Sequence, residues 1–266
     1  MYFNQLQQRL GKAQLNYHFH FSFKHRYLYV QTSKCACTYM KTGLSFAELS
    51  AGGFWSDSYK HTDPNVVFRD AMVPSPHLPV NRSVFIKPYQ LSPEQFDDFI
   101  GNPANFKFAI VRNPYQRALS AYLDTMLGER LPFHSLKNSL ANIKNISEDS
   151  VRGKDVSFFE FLTAIKNEQE KSGWTGIDQH YREQSFHIAD DLISYSKIYR
   201  MENLEHIGAT LSSTLGINFR TANRGSHLTQ AADRISEFYK DPACAELVED
   251  IYGNDLQRFN YQFPNT

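Results

Sequence analysis

Eight consecutive residues, Gln31-Thr32-Ser33-Lys34-Cys35-Ala36-Cys37-Thr38, combine hydroxyls, an ammonium and two thiols between a β-prone run and a helical pattern. Where a strand gives way to a helix, unpaired backbone N–H groups and the helix dipole favour an anion. Lys34 adds a mobile positive charge there, and Ser33 and Thr38 add hydroxyl donors. A second group has the same character. Arg112 stands directly after the largely apolar, β-prone run Phe106–Val111, and Ser120 follows eight positions later. A guanidinium at a strand end can clamp a phosphate with two parallel hydrogen bonds, and a serine on the following helix can donate to the same group. The chemistry implied is the holding of phosphate-like anions at two points.

The elements that must position these residues are legible from local patterning. Arg26–Gln31 reads as a strand and Thr38–Leu49 as a helix. Phe106–Val111 reads as a strand and Tyr115 to about Leu127 as a helix entered through Asn113-Pro114. Two strand-loop-helix units predict an α/β fold with a central, mostly parallel sheet flanked by helices. Between them, residues 52–82 are rich in Pro, Asp, Asn and Ser and read as loop. Val84–Lys87 reads as a further short strand, and Ser92-Pro93-Glu94-Gln95 as a capped helix start. Helices are expected over Ser157–Lys166, Met201–Leu215 and Ala243–Phe259, with a strand at Lys197–Met201. A single domain over residues 1–266, with its core at about 26–261, is the expected organisation.

Composition narrows the function classes. Lys plus Arg and Asp plus Glu are 28 each, so no global field steers the chain to nucleic acid or a membrane surface, and any anion site must be local. Apolar runs such as Phe108–Val111 fall far short of the ~20 residues of a membrane span. Three cysteines, Cys35, Cys37 and Cys244, form no disulfide framework, which favours a reducing compartment. The first loop is not a Walker A sequence, because no glycine lies between Tyr27 and Lys41. A nucleotide-dependent phosphotransferase would also want a magnesium-binding carboxylate near that loop, and no Asp or Glu lies between Tyr27 and Glu48. A nucleotide-binding module without catalysis is the non-enzymatic alternative.

Three segments carry a resemblance to a known family. Thr32-Ser33-Lys34-Cys35-Ala36-Cys37-Thr38-Tyr39-Met40-Lys41 keeps a Lys-x-x-Cys-Thr/Ser-x-x-Lys spacing. Phe108-Ala109-Ile110-Val111-Arg112-Asn113-Pro114-Tyr115-Gln116-Arg117-Ala118-Leu119-Ser120 is the second, and Gln179-His180-Tyr181-Arg182-Glu183-Gln184-Ser185 the third. Together they resemble the sulfotransferases that use 3′-phosphoadenosine-5′-phosphosulfate (PAPS), specifically the chondroitin and dermatan 4-O branch of sulfotransferase family 2. The third segment departs from that branch's His-Trp-x-Pro-Gln-Ser, with Tyr181 in place of Trp and Glu183 in place of Pro. The resemblance implies a P-loop-kinase-like sulfotransferase fold, PAPS as donor with no metal, and a hydroxyl of a polysaccharide or glycan as acceptor. It implies a 5′-phosphosulfate loop of Ser33, Lys34, Cys35, Ala36, Cys37 and Thr38, with Lys34 also acting in catalysis. It gives the 3′-phosphate to Arg112 and Ser120. Arg224, in Asn223-Arg224-Gly225-Ser226-His227, is a further donor-binding candidate, with an ordinary basic loop as the competing reading.

Sulfuryl transfer to an alcohol also needs a base for the hydroxyl proton, and histidine suits that demand. The resemblance implies His77, in Val73-Pro74-Ser75-Pro76-His77-Leu78-Pro79; His61 competes within the same loop, and His180 is a third candidate suited to orienting the acceptor. His18 and His20 alternate, so a strand would place both on one face, but no third ligand accompanies them for a metal. Trp55, Tyr59 and Trp174 are candidates to stack on sugars, and Lys60, Arg69, Arg82, Lys87, Arg130 and Arg182 to form a basic groove. Animal members of the branch usually carry a membrane anchor. The expected setting is therefore a microbial cytoplasm, with a Golgi-lumen enzyme trimmed of its anchor as the alternative.

Overall fold

The computed structural model describes residues 1–50, 83–128, 131–221 and 230–264. In chain order its elements are helices α1 (Tyr2–Leu10) and α2 (Lys12–His18), strands β1 (Phe19–Ser22) and β2 (Tyr27–Val30), and helices α3 (Cys37–Ser50) and α4 (Pro93–Gly101). Strand β3 (Phe106–Val111), helices α5 (Pro114–Tyr122), α6 (Lys137–Lys144), α7 (Phe158–Ser172) and α8 (Gln184–Ile188), and strand β4 (Lys197–Arg200) follow. Helices α9 (Leu204–Leu215), α10 (Ile235–Phe238) and α11 (Pro242–Arg258) close the chain.

The chain divides into two compact units. The described residues of the first are 1–50, 83–111 and 188–221; those of the second are 112–128, 131–187 and 230–264.

The first unit holds the sheet, ordered β1-β2-β3-β4. β1 and β2 pair antiparallel, whereas β2–β3 and β3–β4 are parallel, so the α/β, mostly parallel arrangement expected from the two strand-loop-helix units is present. Parallel strands covered on both faces are apolar at successive positions, which is what Tyr27–Val30 and Phe108–Val111 offer; Lys107, near the start of β3, is buried with Nζ donating to the Asn102 and Asn105 carbonyls. Tyr27, Tyr29, Phe108 and Ile110 pack with Met40, Leu44 and Ala47 of α3 and with Ile207 and Leu211 of α9. Phe21 of β1 meets Phe96 and Phe99 of α4 edge-on at 5.3 and 5.1 Å. The capping box at Ser92 is formed: Gln95 donates its backbone N–H to Ser92 Oγ at 3.2 Å, and Ser92 donates to Gln95 Oε1 at 2.9 Å. Val84–Lys87 does not form a strand of its own; Phe21 and Ile86 share one isolated antiparallel bridge.

The second unit is helical. α5 runs into one π-helical turn at Leu123–Leu127, and its core joins Leu119, Met126, Phe161, Leu162, Ile165, Val248 and Tyr252. α7 starts at a capping box between Ser157 and Glu160 and extends to Ser172, past the expected end at Lys166. Among the described residues no helix is long and apolar enough to cross a membrane.

Candidate active site

In the first unit, β2 ends at Val30 and α3 begins at Cys37, and the loop between them turns back on itself through left-handed backbone. Lys34 has φ 65° and Ala36 φ 57°, so the sign of φ alternates across Ser33-Lys34-Cys35-Ala36. A non-glycine residue in this region costs roughly 1–2 kcal/mol, and two in one loop mark a conformation held for a reason. Alternating hand turns successive backbone N–H groups toward one concave side, a shape that receives anions. Cys35 donates its backbone N–H to the Thr32 carbonyl at 3.3 Å, closing a turn within the loop. Thr32 Oγ1 is buried and has no hydrogen-bond partner among the described residues.

The loop is seated on buried polar groups. Gln31 is 1% exposed, and its Oε1 lies 3.2 Å from His20 Nε2. His20 Nδ1 in turn receives Lys87 Nζ at 2.8 Å, and Lys87 also donates to the carbonyls of Phe19 and Tyr17 at 3.2 and 3.4 Å. With Lys87 donating, His20 must accept at Nδ1 and carry its proton at Nε2, facing Gln31. Burial first, then the charges of Lys87 and Lys41, hold His20 well below the usual histidine range. Burial likewise lowers Lys87, and lowers Lys41 to about 8, with Cys37 acting in the opposite direction on Lys41. Lys41 stands one turn into α3, with Nζ 5.4 Å from the Tyr17 ring centre.

In the second unit, Asn113 caps α5 by accepting from Tyr115 N at 3.1 Å, and Pro114 occupies the first turn, where its missing N–H costs nothing. Arg112 and Ser120 are both buried. The backbone of Arg112 is gripped by a side chain distant in sequence: its N–H donates to Gln184 Oε1 at 2.8 Å, and its carbonyl accepts from Gln184 Nε2 at 2.9 Å. Asp255, on α11 and fully buried, accepts from the backbone N–H groups of Gln184 and Ser185, each at 2.8 Å. Arg117 donates to the carbonyls of Arg182 and Gln179 at 2.8 and 3.2 Å, tying the third motif to α5.

A family model described as "Sulfotransferase family" matches residues 17–262, nearly the whole chain. The chain belongs to the sulfotransferase family. No curated protein and no solved structure matches it. The family's chemistry is sulfuryl transfer, and both strand-to-helix loops lie inside the matched span.

Of the residues singled out for this sulfotransferase, Ser33, Lys34, Cys35, Ala36, Cys37 and Thr38 fall together at one loop of the first unit, and Arg112 and Ser120 in the second. His77, His61 and Arg224 lie outside the described residues, as do Trp55, Tyr59, Lys60, Arg69, Arg82 and Arg130. His180 is paired: its Nδ1 lies 2.6 Å from Asp178 Oδ1, which also accepts the His180 backbone N–H at 2.9 Å. Burial works to raise the Asp178 carboxyl, but the hydrogen bond and charge of His180 hold it below its ordinary value.

Several expectations change. His18 and His20 do not share a strand face, because His18 is the last residue of α2 and only His20 lies on β1. Lys87 and Arg182 are buried rather than exposed along a basic groove: Lys87 Nζ reaches the Phe19 carbonyl and His20 Nδ1, and Arg182 Nη2 donates to the Ile177 carbonyl at 2.8 Å. Trp174 stacks on Tyr252 at 5.9 Å as part of the core margin. Tyr181, where the branch has Trp, is buried against Phe161. Gln184 was singled out only as a member of the third motif, with no part in holding Arg112, and Asp255 was not singled out. Their role rests on pairings across some seventy residues of sequence, which no local pattern signals.

Proposed function

We propose that the chain transfers the sulfuryl group of PAPS to a hydroxyl of a carbohydrate, as one sulfotransferase domain of the chondroitin/dermatan 4-O-like kind. The observation that carries the reading is the left-handed pair Lys34 and Ala36 in a strand-to-helix loop of a sulfotransferase-family chain. That loop supplies backbone N–H groups and a lysine where a 5′-phosphosulfate would sit. Arg112 and Ser120 take the 3′-phosphate, Arg224 adds to donor binding, and no metal takes part.

In the reaction, the acceptor oxygen forms a new bond to sulfur as the bond from sulfur to the phosphate oxygen breaks, in line. Lys34 neutralises charge growing on the departing oxygen, which leaves as 3′-phosphoadenosine-5′-phosphate (PAP). A histidine takes the hydroxyl proton. His77 is the assigned base and His61 its neighbour in the same loop. The Asp178–His180 pair favours a second assignment, since a carboxylate on Nδ1 leaves Nε2 to accept a proton.

Single-turnover rates with PAPS and a glycan acceptor separate these bases. His77→Ala is expected to slow transfer by about 10²- to 10⁴-fold, with His61→Ala and His180→Ala close to wild type. Full activity in His77→Ala alongside loss in His180→Ala would move the base to the Asp178 pair.

A further inference from the structure

The third motif has a structural consequence for the second. Arg112 is the first residue past the last paired position of β3, Val111, where ladder hydrogen bonding stops and a backbone N–H and C=O need other partners. Gln184 supplies both. Its amide presents an acceptor to the Arg112 N–H at 2.8 Å and a donor to the Arg112 carbonyl at 2.9 Å, the pairing a neighbouring strand would otherwise make. The amide can face only one way, because flipping it would set its NH₂ against the Arg112 N–H and its oxygen against the carbonyl.

Gln184 is itself held. Asp255 Oδ2 accepts the Gln184 backbone N–H at 2.8 Å and approaches Gln184 Nε2 at 3.3 Å, while Oδ1 accepts Ser185 N at 2.8 Å. Asn254 Nδ2 donates to Ser185 Oγ at 2.8 Å from the adjacent position of α11. Gln184 and Asp255 are both fully buried. Two amide–backbone bonds on one residue set its peptide planes on both sides, and with them the direction in which the guanidinium leaves the main chain.

We propose that Gln184, braced by Asp255, is a positioning residue that sets the backbone of Arg112 and thereby aims its guanidinium at the donor's 3′-phosphate. This rests on the reading of Arg112 as a 3′-phosphate ligand. The Gln-Ser of the third motif then serves the donor side of the reaction rather than the acceptor.

Affinities for PAP and for AMP, which lacks the 3′-phosphate, test the assignment by calorimetry on the full chain. Wild type should prefer PAP strongly, and Arg112→Ala should abolish the preference. Gln184→Met, which keeps volume and removes both hydrogen-bonding atoms, is expected to weaken PAP binding roughly tenfold or more with AMP affinity nearly unchanged, each lost ~1.4 kcal/mol being one decade. Asp255→Asn keeps one acceptor and is expected to show a smaller loss in the same direction, which decides the matter if Gln184→Met fails to fold. Equal losses for PAP and AMP in these variants, or wild-type discrimination in both, would overturn the positioning role. Unaltered discrimination in Arg112→Ala would instead overturn the donor reading on which it stands.

Discussion

Lys41 shows how a single buried residue can be costly to the fold. It is 2% exposed, and burial lowers its ammonium from 10.5 to about 8. Between those values the unfolded chain holds a proton that the folded chain does not, so its contribution to stability rises with pH from about 8 to 10.5 and is at its least favourable below 8. Lys41→Met should therefore stabilise the protein by about 1–3 kcal/mol at pH 7, with the gain shrinking toward pH 10 in paired denaturant melts. The same substitution should weaken donor binding, since Lys41 lies one turn beyond the anion loop. A destabilised variant with unchanged donor affinity would count against both parts. Legible at this scale were the residue types and spacing of Lys34, Arg112 and Ser120, on which the proposal of anion binding rests. The left-handed turns at Lys34 and Ala36 were not, because neither position carries the glycine that usually announces such backbone.

Elements were legible where burial and local pattern agree. Phe106–Val111 matches its expected bounds because a strand covered on both faces is apolar at nearly every position, Lys107 being the exception, and Ser92 marks α4 through its own capping bonds. Prediction failed where tertiary pairing decides. Val84–Lys87 has strand composition but meets Phe21 through Ile86 alone, and α2 extends through His18, so the alternation of His18 and His20 does not become a face. The turn after α5 shows a packing constraint of the same long-range kind. A Cβ on Gly153 would come within 2.4 Å of the Met126 carbonyl oxygen, in the π-helical turn Leu123–Leu127 that continues the helix bearing Ser120. Backbone cannot swing aside as a side-chain tip can. Gly153→Ala should cost about 1–3 kcal/mol in chemical denaturation; a neutral effect would mean that this turn yields more readily than its packing indicates.

For the molecule as a whole, composition excluded more than it identified. Balanced charge offers no general field for polyanions, and the anion recognition proposed above falls to two strand-to-helix loops, each fixed by buried groups of its own unit. Gln31, His20 and Lys87 seat the first, and Gln184 and Asp255 hold the second. The α/β class and the family were readable from motif order along the chain. The bracing groups were not, because each acts through a partner remote in sequence. The most direct test is transfer of radiolabel from labelled PAPS to a panel of glycans in the presence of EDTA. Wild type should label at least one glycan, and Lys34→Ala should label it at least a hundredfold more slowly, the scale on which loss of a group stabilising transition-state charge is felt. Absence of labelled glycan with wild type, or undiminished labelling by Lys34→Ala, would contradict the assignment of sulfuryl transfer to this loop.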